Sequence, residues 1–286
     1  MQVWTEAMRS RRYADAWEME ARAIAGRDPA TRDDPALPYH RRWLWDGRPL
    51  DGRDVLVRCY HGLGDTIQFA RYLPVLAARA RSVTLEVQPR LVPLLAGFGV
   101  DRIVPFDVAR PLPPAECDVG ITELPAALRV APEDCAAPYL AWPAADLPPG
   151  TIGLCATAGD WDADRSIAEP LLRPIAAAHP CVTLVAGATT LPVANPAGCP
   201  LDMAATAALV AGCARVVTVD TMIAHLAGAM GRPTALLLKA DPDWRWDPAA
   251  RASAWYPSMR LYPQPRPGDW ASVVAAVAAD LEAAPC

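Results

Sequence analysis

Short apolar runs alternate with amphipathic stretches along most of the chain, a pattern that predicts strands in turn with helices. The first run, residues 55–60, leads into His61-Gly62-Leu63-Gly64-Asp65-Thr66 and a helix over 66–79. Strands are predicted at 83–87, 102–104 and 117–121, with a short helix at 91–96. The pattern stops over 136–150, where Pro138, Pro143, Pro148 and Pro149 punctuate the chain, and restarts with a strand at 151–156. A polar loop (159–166) follows, then a helix at 170–178, a strand at 182–185 and a proline-rich loop. The next elements are a helix at 202–211, a strand at 216–219, a helix at 222–230 and a strand at 234–238. Residues 241–268 are rich in Trp and Pro and show no regular period, and 269–284 is amphipathic at helical spacing. Two runs of strand–helix alternation predict two α/β halves, each a parallel sheet with right-handed crossovers.

Upstream, Met8, Tyr13, Trp17 and Ala21 recur at near-helical intervals and predict one or two amphipathic helices over 5–26. Residues 28–38 contain Asp-Pro, Asp-Asp-Pro and Leu-Pro steps and form a linker. Residues 40–54, with His40, Arg41, Arg42, Trp43 and Trp45, read as an arm packed on the main body. The expected organisation is a helical extension and linker over 1–38 and α/β domains over 39–148 and 149–286, facing each other across a cleft.

Composition narrows the function classes. The 286 residues are 52% hydrophobic and carry a net charge of −5, so no general attraction to nucleic acid or an anionic membrane is expected. No apolar run approaches the roughly 20 residues that span a bilayer, and the start lacks the basic-then-apolar order of a signal peptide. The eight cysteines include no Cys-x-x-Cys pair, which points away from zinc and toward reduced thiols in a cytoplasmic protein.

Two stretches carry candidate chemistry. Asp220 follows the apolar run 216–219 and leads into a helix, the usual ligand position of an open parallel sheet. There the amides of Thr221 and Met222 and the helix dipole suit a diphosphate, and His225 lies one turn on. Gly62-Leu63-Gly64-Asp65 occupies the matching place after the first strand, where glycines allow a sharp turn. It is neither a Rossmann fingerprint, since Ile67 stands where the third glycine belongs, nor a P-loop.

The stretch Gly62-Leu63-Gly64-Asp65-Thr66-Ile67-Gln68-Phe69-Ala70-Arg71-Tyr72 resembles the first motif of glycosyltransferase family 9, the ADP-heptose heptosyltransferase family. The run from Asp220 to Gly231 is similar to that family's second motif. Asp243-Trp244-Arg245-Trp246 and Trp255-Tyr256-Pro257-Ser258-Met259-Arg260-Leu261 resemble the branch found behind tetratricopeptide repeats, and Arg12-Tyr13-Ala14-Asp15-Ala16-Trp17 resembles the end of a last repeat. The resemblance implies a GT-B fold and inverting, metal-independent transfer from a nucleotide-diphosphate sugar to a glycan, protein or small-molecule acceptor, with no bound cofactor. It places the catalytic base on Asp65, with His61, Gly62, Gly64 and Gln68 on the acceptor-side loop. It places the donor site on Asp220, Thr221, Met222 and His225, with Thr157 near the donor and Leu201 against the base. Three family features are missing: the phosphate lysine of the loop after the fifth strand, a second threonine (Ala158 here), and the ribose acid, replaced by Ala188 and Thr189. Arg165 is the nearest cation to the missing one, in a loop whose register the sequence leaves open, and Lys239, the sole lysine, stands at a strand's carboxyl end facing the donor side. A catalytically silent domain acting as an adaptor is the competing expectation.

Overall fold

The computed structural model describes residues 2–135, 137–159 and 162–283. They form two compact units, Met1–Cys135 and Ala136–Cys286.

In the first unit, β1 (Asp54–Arg58), β2 (Ser82–Val87), β3 (Arg102–Pro105) and β4 (Cys117–Gly120) make an all-parallel sheet in the order β3-β2-β1-β4. The inner strands are buried on both faces, as their near-continuous apolar runs require. Val57 pairs with Leu85 on one side and Val119 on the other. The helical path after β1 starts three residues earlier than its periodicity predicts and is interrupted. It runs as α3 (Leu63–Phe69), a 3₁₀ turn at Ala70–Tyr72 and α4 (Leu73–Arg79). Pro74 explains the break, because it has no N–H to return to the preceding turn. Two short helices, α5 (Val92–Leu95) and α6 (Leu124–Leu128), follow β2 and β4.

The N-terminal extension is a pair of helices, α1 (Gln2–Arg9) and α2 (Tyr13–Ala25), joined by Arg11 at φ 57°. They bury Met8, Tyr13 and Trp17 of the stripe that sequence spacing picks out, together with Ala7 and Ala16, while Ala21 is half-buried. Arg129 pairs with Glu18 at 3.1 Å, tying α2 to the end of α6. The arm then buries Leu44 and Trp45, and the Trp45 amide donates to Glu123 at 3.2 Å.

The second unit holds β5 (Ile152–Cys155), β6 (Cys181–Thr183), β7 (Arg215–Val219), β8 (Thr234–Leu238) and β9 (Met259–Pro263), again all parallel, in the order β6-β5-β7-β8-β9. β9 falls inside the stretch predicted to be irregular. Its alternation is only Met259 and Leu261 buried around an exposed Arg260, too short a signal beside so many prolines. The helices are α7 (Arg173–Ala178), α8 (Met203–Gly212), α9 (Met222–Ala229) and α10 (Trp270–Ala283). Val273, Val274, Val277 and Leu281 of α10 close one face of the sheet over Ile152, Val217 and Leu237. The proline-rich stretch before β5 packs on this unit. The Tyr139 and Leu140 amides donate to the Ala229 carbonyl at 2.9 and 3.1 Å, and the Ala145 amide to Ala208. No helix among the described residues is long and apolar enough to cross a membrane.

Candidate active site

In a doubly wound sheet, ligands bind at the carboxyl ends of the strands where the strand order reverses. In the second unit that point lies between β5 and β7. The loop after β5 carries Thr157 and Arg165, and Asp220-Thr221 follows β7 directly, so the switch point collects four of the sequence-predicted residues.

The fold leaves one helix start there open to a ligand. Thr221 is the N-cap of α9 with extended backbone (φ −154°, ψ 177°), and its side chain makes no cap hydrogen bond. The contrast with α8 is direct, where Asp202 accepts the Ala204 amide at 2.7 Å. An uncapped first turn keeps its amides for an anion, and the helix dipole adds a partial positive charge.

Arg165 is held against this spot. It is buried, and Nη1 donates to the Asp220 carbonyl at 2.8 Å while Nη2 reaches the Gly159 carbonyl at 3.4 Å. Lys239, at the end of β8, pairs with Asp162 Oδ2 at 2.8 Å, and the same oxygen lies 3.9 Å from Arg165 Nε. Asp162 therefore bridges Arg165, whose register the sequence left open, and Lys239. Asp160 and Trp161 of the same loop lie outside the described residues.

The Asp220 carboxyl is turned into the protein, only 7% exposed. Burial raises its pKa to about 6, and Asp243 pushes the same way against the pull of Arg245 and Arg165. Asp243 and Arg245 pair at 2.8 Å, and the guanidinium of Arg245 lies 4.4 Å over the Trp244 ring. The Asp220 side chain thus faces the Asp243-Trp244-Arg245-Trp246 loop rather than the helix amides. His225 likewise points inward. It is 5% exposed, with Nδ1 3.1 Å from Tyr256 Oη and the ring stacked on fully buried Trp246 at 5.7 Å. Gly228 makes that packing feasible, since a Cβ there would overlap the Tyr256 ring. Thr157 is exposed two residues beyond β5, and Leu201 is 68% exposed just before the α8 cap. Met222, half-buried, begins α9.

The first unit reverses between β1 and β4. After β1, the Gly62 amide donates to Asp65 Oδ2 at 2.9 Å, so the carboxylate caps the helix it sits on. The turn needs no left-handed glycine: Gly62 has φ −67°, and Gly64 lies within α3. What Gly62 provides is room, because a Cβ would stand 3.2 Å from that carboxylate oxygen. His61 is anchored through its carbonyl, which accepts from Gln88 Nε2 at 2.7 Å. Gln88 Oε1 in turn accepts from the Thr66 hydroxyl. Gln68 is fully buried, so it braces the helix and does not line the loop surface.

Glu123 is the residue that pattern reading missed. After β4, the Gly120 amide donates to Glu123 Oε2 at 2.7 Å, repeating the device of Gly62 and Asp65 across the switch point. The repeated glycine-x-x-acid after a strand was the available signal. Burial raises the Glu123 pKa to about 7. Beneath it, Arg58 is buried with Glu86 at 2.8 Å and Asp118 at 3.4 Å. Cavities of about 190 and 510 Å³ in the second unit lie at the amino ends of β7 and β8 and along β9 and α10, away from the switch point.

This architecture, two parallel α/β domains behind a helical N-terminus, is the GT-B fold expected from the sequence, and solved structures share it. One is a glycosyl transferase family 9 protein from Veillonella parvula: TM-score 0.53 and 14% identity, over 76% of this chain and 87% of that one. A second is E. coli ADP-heptose lps heptosyltransferase II, with TM-score 0.50 and 14% identity over 80% of this chain and 99% of that one. A third is E. coli heptosyltransferase WaaC with ADP, with TM-score 0.53 and 14% identity over 80% and 97%. The model of glycosyltransferase family 9 (heptosyltransferase) matches residues 181–264, which include β7, the open start of α9 and the Asp243–Trp246 loop. No curated protein matches the chain.

Proposed function

We propose that the protein is an inverting glycosyltransferase that takes its sugar from a nucleotide-diphosphate donor of the ADP-heptose kind and passes it to an acceptor hydroxyl. The uncapped start of α9 at the switch point carries this reading. It lies inside the segment matched by the family model, and the fold is that of heptosyltransferases, one of them solved with ADP.

In this reading the diphosphate sits on the first-turn amides of α9, beside Arg165 and Lys239. The acceptor oxygen attacks the anomeric carbon, the bond from that carbon to the diphosphate breaks, and the leaving group takes the electron pair. Asp65 accepts the acceptor's proton. One displacement inverts the anomeric centre. Charge growing on the diphosphate is met by fixed N–H dipoles and two cations, which need no reorganisation as it develops. Arg165, held by the Asp220 and Gly159 carbonyls, adds fixed positive charge beside the diphosphate in place of the family's lysine. The tetratricopeptide-associated branch and a cytoplasmic setting remain part of the proposal.

The test is transfer from ADP-heptose, followed by mass spectrometry of the products, alongside thermal shifts with ADP, UDP and GDP. A nucleotide that binds the native state raises its stability by mass action. Stabilisation by ADP with released ADP in turnover is the expected result. A chain that no nucleotide stabilises is an adaptor, and the proposal fails.

A further inference from the structure

The first unit contains a cavity of about 220 Å³ beside its own switch point. Its walls come from both the α/β domain and the N-terminal arm. Arg58, His61 and Glu123 supply one side, and Arg27, His40 and Arg41 the other. The arm is therefore more than packing, because it completes a cavity that the domain alone leaves open.

The charges in this cavity are unequal in kind. Arg58 is spent on Glu86 and Asp118, and Arg42, also in the wall, is spent on Asp33 at 3.2 Å. Arg27 lies over the Trp43 ring, 5.1 Å from its centre, and Arg41 is exposed; neither forms an ion pair among the described residues. Glu123 is the one acid in the wall, and it is occupied by the Gly120 and Trp45 amides. Arg27, Arg41 and His40 thus converge on a small concave space in a protein whose net charge is −5. Four arginines line the cavity against the single acid Glu123, whose charge Arg27 shares. Guanidiniums are the side chains best suited to phosphate and carboxylate oxygens. The volume is below the roughly 300 Å³ at which drug-sized pockets begin, so it suits a single substituted sugar or a phosphate group better than an extended chain.

We infer that this cavity binds an anionic group, a phosphate monoester or carboxylate on a sugar-sized ligand, through Arg27, just past the end of α2, and His40 and Arg41 of the arm. The inference rests on the proposed function only in making that ligand the acceptor.

The chain has four histidines, and each can be assigned by substitution. His40 and His61 line the cavity, His225 lies in the second unit, and His179 follows α7. The experiment labels the histidine rings and titrates the full chain, saturated with ADP, with glucose 6-phosphate, glucuronate and glucose. The ring signals of His40 and His61 are expected to move with the two anions and not with glucose, while His179 stays still. In the Arg27→Ala/Arg41→Ala variant the midpoint of the anion-induced shift should rise at least tenfold, with ADP stabilisation unchanged. Equal shifts with glucose, or an unchanged midpoint in the variant, would overturn the inference. A failure of ADP to bind speaks against the donor site instead, and the same titration without ADP still decides the anion site.

Discussion

The two units share a topology and dress it differently. Each is a parallel sheet with its first strand beside a reversal of strand order, and each sends a loop from that strand into the ligand side. In the first unit, the first turn of each helix there carries an acid that holds the preceding glycine amide: Asp65 holds Gly62 and Glu123 holds Gly120. In the second unit Thr221 leaves the start of α9 uncapped, and the nearby acids are turned elsewhere. Asp220 faces the Asp243–Trp246 loop, and Asp162 holds Lys239. A first turn with its own carboxylate brings a protein acid to the strand ends, whereas a first turn with none, as in α9, suits a foreign anion. In the proposed function, the same strand–helix joint supplies a base in one unit and a phosphate cradle in the other.

The sharpest way to break that comparison is Asp65→Asn. Asparagine still offers an oxygen to the Gly62 amide, so the cap and the fold should survive. Transfer should fall by about 10²–10⁴-fold while ADP affinity is unchanged, as expected for loss of a general base. Steady-state release of ADP from ADP-heptose measures it. Unchanged turnover would leave Asp65 as a cap alone.

The next effect belongs to Asp220. Its pKa is raised in the folded protein to about 6, so its contribution to stability is fully present at low pH and is lost as pH rises through 6. At 1.36 kcal/mol per pKa unit, the wild type should lose about 3 kcal/mol relative to Asp220→Asn between pH 4 and neutrality. Urea unfolding of both proteins across that range shows the gap opening, and parallel pH curves would mean the carboxyl is not buried as described. Gly228→Ala should cost about 1–3 kcal/mol, because the new methyl must displace the Tyr256 ring that holds His225. The denaturation midpoint reads this directly, and no change would mean that the aromatic packing has slack. The smallest expected effect is that of Lys239→Ala. Lys239 already shares its charge with Asp162, so its loss should weaken ADP binding by about five- to tenfold, as calorimetry would show.

Much of this was legible in the chain. Val216-Val217-Thr218-Val219 followed by Asp220 and an apolar helix marks a buried strand and its ligand end from local pattern alone. Asp65 stands out for the same reason. What escaped depends on contacts between distant residues. Glu123 meets the Trp45 amide across 78 positions, and Arg165 meets the Asp220 carbonyl across 55. No periodicity reports such meetings. His225 shows the opposite failure. It lies on the helix beside the amides, yet its partners, Trp246 and Tyr256, come from the loop without a period and draw it into the core. β9 was lost because two buried residues around an exposed arginine make no readable alternation.

The central claim is that the open start of α9 holds the donor's diphosphate. Backbone amide signals of Met222 and Ile223, followed during an ADP titration of the full chain, test it most directly. The account expects those two amides to shift strongly and saturably, with the Gly62 and Gly120 amides, already held by Asp65 and Glu123, hardly moving. Saturable ADP binding that leaves Met222 and Ile223 undisturbed would contradict it.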